Sequence, residues 1–176
     1  MLDKFFYTSE EIDELVKSQV ILVDTREKVN GHITKCFDEY KIPYKKHTLR
    51  FGDYSFMVPA NNALNIPRDL YFNHEVIVER KASLEEISGN LTKDRSRFEK
   101  ELALAPPSKV LLIENASYSD IATGNYKTEL NRKAFLASLH TFWFRYNMPV
   151  FFLENKRYSG LFIKKYFEYY LKEQLR

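Results

Sequence analysis

The segment Val76–Lys81 constrains the fold most, because it joins a run of β-branched residues to three charged ones. β-Branched residues favour extended backbone, so this segment is predicted to be a β-strand. Side chains two positions apart on a strand project to the same face, and we therefore expect Glu79 and Lys81 to lie side by side. The strand should begin in the core and end by presenting a carboxylate and an ammonium group together.

Length and composition are those of one ordered domain. With 176 residues, of which 44% are hydrophobic, the chain can bury a sizeable core, so we expect a single domain over residues 1–176. A net charge of +3 is compatible with nucleic-acid binding but does not identify it. The single cysteine, Cys36, excludes an intramolecular disulfide and a cysteine-based zinc cluster.

The N-terminal sequence has no basic segment followed by a long apolar run, so no signal peptide is predicted. No apolar stretch approaches the roughly 20 residues that are needed to span a bilayer. We therefore expect a cytoplasmic protein without a membrane partner.

Hydrophobic periodicity predicts helices and strands that alternate along the chain. A capping box at residues 8–11 starts a helix in an N-terminal extension, residues 1–19. Prolines and asparagines within residues 59–75 predict an inserted loop between two strands. Helices separate the later strands, which favours an α/β fold with a central mixed β-sheet flanked by helices on both faces. The predicted strands are 20–23, 44–49, 54–58, 76–81, 109–114 and 149–153, and the predicted helices are 8–19, 33–40, 83–90, 94–104, 127–146 and 157–175.

Acidic residues border three of the predicted strands: Asp24 and Glu27 follow the first, Asp53 precedes the third, and Glu79 lies near the end of the fourth. Carboxylate oxygens suit Mg²⁺ and Mn²⁺, which provide a nucleophile and a charge sink for phosphodiester hydrolysis. The sequence thus predicts a metal-dependent nuclease in which Asp53 and Glu79 bind the metal. Lys81 is expected to orient or activate water and to offset charge at the phosphate. Asp24 is a candidate to join the metal site, and Glu27 to support it or to hold a second metal.

Basic residues near these acids are candidates for phosphate contacts. Arg26 lies between the two acids after the first strand. Arg95 and Arg97 lie in the first turn of the predicted helix 94–104, the second helix after the fourth strand. Arginine binds phosphate in a bidentate manner, and such contacts position nucleic acid without reading its sequence. We expect Arg26 to contact a phosphate, and Arg95 and Arg97 to lie over the site and grip the DNA backbone.

Each of these features also has a structural explanation. Glu-Arg-Lys triplets occur on solvated strand edges, and an aspartate after glycine is often only a turn residue. Asp24 can equally cap a polar loop. The joint pattern of three acids at strand borders, each with a basic residue nearby, favours the catalytic interpretation.

The same residues form the motifs of a known family. Val23–Glu27 (VDTRE), Gly52–Tyr54 (GDY) and Val78–Lys81 (VERK) together resemble the signature of the XPF family of structure-selective endonucleases. That family is a branch of the restriction-endonuclease-like superfamily with the PD-(D/E)XK core. Asp94–Glu99 and Val110–Glu114 resemble the helix and strand that follow in the family. The resemblance runs from about residue 20 to the C-terminus.

This resemblance implies a restriction-endonuclease-like fold and cleavage of branched, flap-like or fork-like DNA with Mg²⁺ or Mn²⁺. It also implies a role in DNA repair, recombination or replication. By position, Asp24, Asp53 and Glu79 are the implied metal ligands, and Lys81 lies at the water. The implied supporting residues of the active site are Arg26, Glu27, Arg80 and Arg95.

Three features depart from the family pattern. The interval from Asp53 to Glu79 is longer, and residues 59–75 fill it. Where the family has an aspartate shortly after the lysine, this chain has Glu85, which either substitutes for it or leaves that role vacant. No helix-hairpin-helix module follows the last helix, so a stand-alone nuclease domain is expected, and a separate protein is a candidate to supply DNA binding.

A homodimer is a further expected assembly, because the family dimerises and the last predicted helix carries a wide apolar stripe. The rival function is a catalytically inactive DNA-binding or scaffold module with the same fold. Degenerate modules of that kind lose their metal-binding acids. Asp24, Asp53, Glu79 and Lys81 are all present here, which favours the nuclease.

Overall fold

A mixed β-sheet forms the centre of the computed structural model, which describes Leu2 and residues 6–176. The strands of these residues are β1 (Val20–Asp24), β2 (Tyr44–His47), β3 (Tyr54–Val58), β4 (Leu70–Tyr71), β5 (Val76–Lys81), β6 (Ser108–Glu114) and β7 (Val150–Leu153). They are arranged in the order β2-β1-β3-β5-β6-β7, and β4 pairs with β3 outside this path. β3 runs antiparallel to β1, β4 and β5, whereas the β1–β2, β5–β6 and β6–β7 pairs are parallel.

Several helices begin at a residue whose side chain caps the first turn. Thr8 and Glu11 form the predicted capping box of the first helix, and Ser83 accepts a hydrogen bond from the backbone of Glu86 at the start of the third. The α-helices of the described residues are α1 (Ser9–Ser18), α2 (Gly31–Glu39), α3 (Leu84–Leu91), α4 (Arg95–Leu104), α5 (Tyr118–Thr123), α6 (Arg132–Tyr146) and α7 (Ser159–Leu175).

The two faces of the sheet bury separate hydrophobic cores. On one face, Val78 and Leu112 belong to a core shared with α1, α2 and α7. On the other face, Leu111 and Ile113 belong to a core shared with α3, α4, α5 and α6. Adjacent residues of a strand serve opposite cores because side chains alternate across a sheet. The predicted α/β fold with helices on both faces is confirmed.

Several predicted elements differ in detail. Residues 59–75 are more than a loop, since they contain β4 and a 3₁₀ turn at Asn62–Leu64. The long predicted helix begins at Arg132 instead of residue 127, because the Asn131 side chain caps it there. The short helix α5, which starts with a capping box at Ser117, was not predicted.

The predicted N-terminal extension, residues 1–19, contains α1, while residues 1 and 3–5 lie outside the described residues. Within the part of the chain that the structure describes, no helix has the combination of length and apolar character that crossing a membrane requires.

Candidate active site

Asp53 lies just before β3, where a glycine lets the backbone approach β5 closely. Gly52 has a φ of +70°, and a Cβ atom added there would lie 2.8 Å from the Cβ atom of Ile77. The backbone N–H of Asp53 donates to the carbonyl of Val78 at 2.9 Å. In turn, the Asp53 carboxylate accepts the backbone N–H of Arg80 at 2.7 Å. Asp53 is thereby fixed against the end of β5.

Glu79 and Lys81 project from β5 to the same face, as strand alternation predicts. Their side chains form an ion pair, with Lys81 Nζ 2.8 Å from Glu79 Oε1. The ammonium group also lies 5.4 Å from the ring centre of Phe98 in α4. Lys81 is therefore held between the strand and the helix that covers this face.

Burial and charge shift the pKa values of this group. Burial, followed by repulsion from Glu79, raises the pKa of Asp53 well above its usual range. Burial acts to lower the pKa of Lys81, but the carboxylates of Glu79 and Asp53 outweigh it and raise that pKa. Lys81 is accordingly an ammonium group at neutral pH, which suits it to orient water and to stabilise negative charge.

Asp53 and Glu79 line one cleft, which has a volume of about 250 Å³. Apolar side chains of β5 and α4 form part of its wall, and the basic side chains of Arg26, Arg50 and Lys109 line it as well. Lys109, a buried residue of β6 that donates to the carbonyl of Pro106 at 2.7 Å, was not anticipated from the sequence. The cleft is lined by Arg26, Arg50, Phe51, Gly52, Asp53, Ile77, Glu79, Phe98, Glu101, Leu102, Ala105, Lys109 and Met148.

The Asp24 carboxylate is occupied by protein donors. It accepts the backbone N–H of Arg26 at 2.6 Å and that of Leu49 at 3.0 Å. The guanidinium group of Arg26 adds two further bonds, each of 3.0 Å. Asp24 is only 1% exposed, and its backbone N–H donates to the carbonyl of Asp53 at 2.8 Å. These contacts make Asp24 an organiser of the two loops beside the cleft.

The predicted site of three carboxylates is not formed in Leu2 and residues 6–176, where no three His, Cys, Asp or Glu side chains are grouped to hold a metal ion. Asp53 and Glu79 share the cleft, but Arg26 and Leu49 take up the oxygens of Asp24. Two repelling carboxylates beside one ammonium group fit a divalent cation, because its charge would relieve their repulsion. The fit therefore rests on Asp53 and Glu79, and a ligand role for Asp24 stays a prediction.

Arg80 points to the opposite face from Glu79 and Lys81. One guanidinium nitrogen lies 2.8 Å from Glu27 Oε1 and another lies 2.6 Å from Glu114 Oε2. The second oxygen of Glu114 is 2.7 Å from Nε2 of His32 in α2. Arg80 and Glu27 thus belong to a buried network behind the strand end. Glu114 and His32 were not predicted as site residues, although an acid at the end of the apolar strand β6 is a sequence pattern that could have indicated Glu114.

The two arginines of α4 lie in different surroundings. The guanidinium group of Arg95 lies 4.9 Å from the ring centre of Phe142 and donates to Ser138 Oγ at 3.0 Å, so it faces α6 and not the carboxylate pair. Arg97 is exposed and lies 4.0 Å from Glu101, which lines the cleft. Of the predicted phosphate-binding residues, Arg26 alone lines the cleft, and Arg50 joins it there.

The acid that approaches Lys81 from α3 is Glu86 and not Glu85. Glu86 Oε1 lies 3.9 Å from Lys81 Nζ, and Glu86 Oε2 accepts the backbone N–H of Ala82 at 2.8 Å. Glu85 instead accepts the backbone N–H of Lys127 at 3.0 Å. Glu86, one position after Glu85, is therefore the acid of α3 that pairs with Lys81, and substitution for the family's aspartate by Glu85 stays a prediction.

Comparisons with known proteins agree with this architecture. The solved structure of XPF from Aeropyrum pernix superposes with a TM-score of 0.58 at 13% sequence identity, and the match covers 86% of this chain and 61% of that one. XPF from Aeropyrum pernix in complex with DNA gives a TM-score of 0.63 at 16% identity, with coverage of 89% and 67%. The present chain thus spans about 61% of the first structure's length, and the similarity establishes the fold.

No curated protein sequence matches this chain. The model of the ERCC4 domain, however, matches residues 23–166, a range that contains Asp24, Asp53, Glu79 and Lys81. Since this range is most of the sequence, the chain belongs to the ERCC4 domain family.

Proposed function

We propose that this chain is a structure-specific DNA endonuclease that uses Mg²⁺ or Mn²⁺ to cleave branched DNA such as flaps and forks. One observation carries the proposal: the carboxylates of Asp53 and Glu79 share a cleft, and the Lys81 ammonium group is paired with Glu79. Membership of the ERCC4 domain family supports it, as does the similarity to a solved XPF structure that contains DNA. A role in DNA repair, recombination or replication is part of the same proposal.

In this mechanism Asp53 and Glu79 would hold the divalent metal. When bound, the metal would polarise the scissile phosphate and lower the pKa of a water molecule. Lys81 orients that water and stabilises charge that develops on the phosphate, because its raised pKa keeps it protonated. Arg26 and Arg50 lie on the lining of the cleft, where they would bind flanking phosphates.

We also propose that the chain forms a homodimer through the surface around β7, the last strand in the sheet order. Phe151 in this strand is 50% exposed, and its ring centre lies 5.0 Å from that of Phe162 in α7. Tyr158 and Leu161, which are close to Phe162 in the sequence, are exposed as well. A second copy that covers this apolar surface would remove it from water.

The activity is tested with flap, fork, four-way junction and linear duplex DNA, each incubated with Mg²⁺, Mn²⁺ or chelator. The protein is expected to cleave the branched substrates when Mg²⁺ or Mn²⁺ is present and not when chelator is present. The Asp53→Asn and Glu79→Gln variants should lose this activity. Glu154→Gln, which changes an exposed carboxylate outside the cleft, is the matched control. Full activity in an Asp53→Asn, Glu79→Gln double variant would refute the assignment.

The rival function, a silent DNA-binding or scaffold module, gives a different pattern. Such a module would bind branched DNA without cleaving it in either metal. Calorimetric titration with Mn²⁺ would then show no binding that depends on Asp53. The nuclease, in contrast, should bind Mn²⁺ with an affinity that the Asp53→Asn substitution lowers.

A further inference from the structure

The face of the sheet that carries the cleft continues beyond the helices that cover it. Val78 pairs with Tyr54, and both belong to the core on the opposite face, so Met57 of β3 lies on the same face as Glu79. There Met57 forms a small apolar cluster with Leu22 and Leu49, to which no described helix contributes a residue. The helices α3 to α6 cover a different part of this face, where they pack over the core that contains Leu111 and Ile113.

Three side chains meet over this helix-free part of the face, and we call them the stacking cluster: Lys45, His47 and Tyr71. Lys45 pairs with Leu22 and Tyr71 pairs with Met57, which places both on the same face as the apolar cluster. The ring of Tyr71 stacks on that of His47, with 5.2 Å between centres and 29° between planes. Lys45 Nζ lies 3.2 Å from the Tyr71 hydroxyl and 5.1 Å from the centre of its ring.

The stacking cluster lies next to the cleft. His47 is paired with Asp24 across the β1–β2 ladder, and the Asp24 backbone is bonded to that of Asp53. Neighbouring strands are about 4.8 Å apart, so the backbones at His47 and Asp53 are separated by roughly 10 Å. Arg50, which follows β2 and lines the cleft, is exposed and lies 5.1 Å from the ring centre of Phe51. Basic and aromatic groups therefore lead from the cleft to the stacking cluster.

Such a combination matches the chemistry of an unpaired nucleic-acid strand. Exposed aromatic rings stack on bases of any sequence, and nearby cations bind the phosphates. Tyr71 is 41% exposed, so its ring is available to a base even though it also contacts His47. In duplex DNA the bases are already stacked on one another, and only a single strand can offer one to these rings.

We propose that the stacking cluster binds an unpaired DNA arm that leaves the cleavage cleft. A base of this arm stacks on the Tyr71 and His47 rings, and Lys45 and Arg50 contact its phosphates. The inference rests on the proposed function for its substrate and names the part of branched DNA that is recognised. It also assigns a role to residues 59–75, since this insertion supplies Tyr71.

Binding is measured by fluorescence anisotropy in chelator, so that cleavage plays no part. The probes are a fork with two unpaired thymidine arms and a blunt duplex of the same paired sequence. The wild type should bind the fork more tightly than the duplex. Tyr71→Ala should weaken fork binding by about fivefold or more and leave duplex binding unchanged. Tyr71→Phe keeps the ring and should bind like the wild type, and Tyr169→Ala, at a tyrosine of α7 that is 62% exposed, is the matched control.

Unchanged fork binding in Tyr71→Ala, equal losses on fork and duplex, or a wild type without preference for the fork would each overturn the proposal. Should Tyr71→Ala fail to fold, His47→Ala is the second variant, and the same selective loss is expected of it. Lys45→Gln should in addition lower the number of counterions released on fork binding by about one, as read from the slope of log K against log salt concentration. The binding measurement is independent of cleavage. Selective binding of the fork would support the stacking cluster even if the protein cleaved no DNA. Cleavage combined with unselective binding would overturn the role of the stacking cluster and leave the proposed nuclease function intact.

Discussion

The guanidinium group of Arg80 lies 2.6 Å from the carboxylate of Glu114, and this ion pair is buried directly behind the strand end that carries Glu79 and Lys81. Arg80 lies between these two residues in sequence, but strand alternation turns its side chain away from the cleft. The pair thus anchors β5 to β6 from the rear. Glu114 influences the geometry of the cleft without lining it.

Replacement of Glu114 by glutamine should reveal this anchor through the pH dependence of stability. Burial acts to raise the pKa of Glu114, but hydrogen bonds from Arg80 and His32 outweigh it and hold that pKa below its usual range. A lowered folded pKa means that the carboxylate stabilises the fold above the unfolded value of about 4.3 and that this stability is lost as the pH falls through the folded pKa. Glu114→Gln should therefore lower the free energy of unfolding by about 3 kcal/mol at neutral pH. It should also weaken the dependence of that free energy on pH in the acid range.

Urea unfolding at several pH values between neutral and acid checks this prediction. The exposed Glu154→Gln variant is the control and should follow the wild type throughout. A Glu114→Gln curve that runs parallel to that of the wild type would show that the buried pair does not control acid stability.

The neighbouring glutamates Glu85 and Glu86 provide a matched pair for the cleavage reaction. Glu86 lies 3.9 Å from Lys81 Nζ, whereas Glu85 is engaged by the backbone of Lys127. Glu86→Gln should slow single-turnover cleavage by about two- to fivefold, because it removes one of the partners that position Lys81 and because a half-exposed ion pair contributes at most about 1 kcal/mol. Glu85→Gln should cleave at the wild-type rate, and the reverse order of effects would restore the role predicted for Glu85.

Metal binding should stabilise the fold through Asp53. Relief of the repulsion between Asp53 and Glu79 favours the metal-bound protein. At a Mn²⁺ concentration one hundred times Kd, the stability should rise by about 2.7 kcal/mol, which corresponds to roughly 5 to 10 °C in Tm for a domain of this size. Asp53→Asn should raise the Tm in chelator, since it removes a buried charge, and should abolish the Mn²⁺ shift in differential scanning calorimetry.

The Asp24→Asn variant separates the two interpretations of Asp24. Its carboxylate accepts bonds from Arg26 and Leu49, so Asp24→Asn should lower the Tm with and without metal and retain the Mn²⁺ shift. Loss of the shift, as in Asp53→Asn, would instead establish Asp24 as a metal ligand.

Self-association is expected to depend on Phe151. A glutamate at this half-exposed position in β7 places a charge in the proposed interface, so Phe151→Glu should sediment as a monomer under conditions in which the wild type is a dimer. Tyr40→Glu changes an aromatic residue that is 67% exposed at the end of α2 and should leave the dimer intact. A monomeric wild type at every concentration tested would contradict the proposed interface.

What the sequence could predict was mainly local. The pairing of Glu79 with Lys81 follows from the two-residue period of a strand, and the helix caps follow from Thr8 and Ser83. The α/β class was predictable as well, because continuous apolar strands such as β6 alternate with amphipathic helices. The position of Asp53 beside Glu79 was indicated only by the joint pattern of motifs.

Long-range partners could not be predicted from these patterns. The role of Asp24 is set by Leu49, 25 residues away, and that of Arg80 by Glu114, 34 residues away. Arg95 turns to α6 because Phe142 and Ser138 receive its guanidinium group there. Each of these outcomes depends on how elements pack, and periodicity within one element carries no information about its neighbours.

Gly52 offers the most direct test of how the backbone places Asp53. Its φ of +70° disfavours any L side chain, and an added Cβ atom would lie 2.8 Å from Ile77 Cβ and 3.2 Å from the carbonyl of Val78. Gly52→Ala should therefore destabilise the fold by about 2 kcal/mol or more and, since β3 must move away from β5, should weaken the Mn²⁺-dependent rise in Tm. Gly89→Ala is the matched control, because an added Cβ atom meets nothing within 4 Å there. If Gly52→Ala kept both wild-type stability and the full Mn²⁺ shift, the close approach at Gly52 could not be what positions the Asp53 carboxylate.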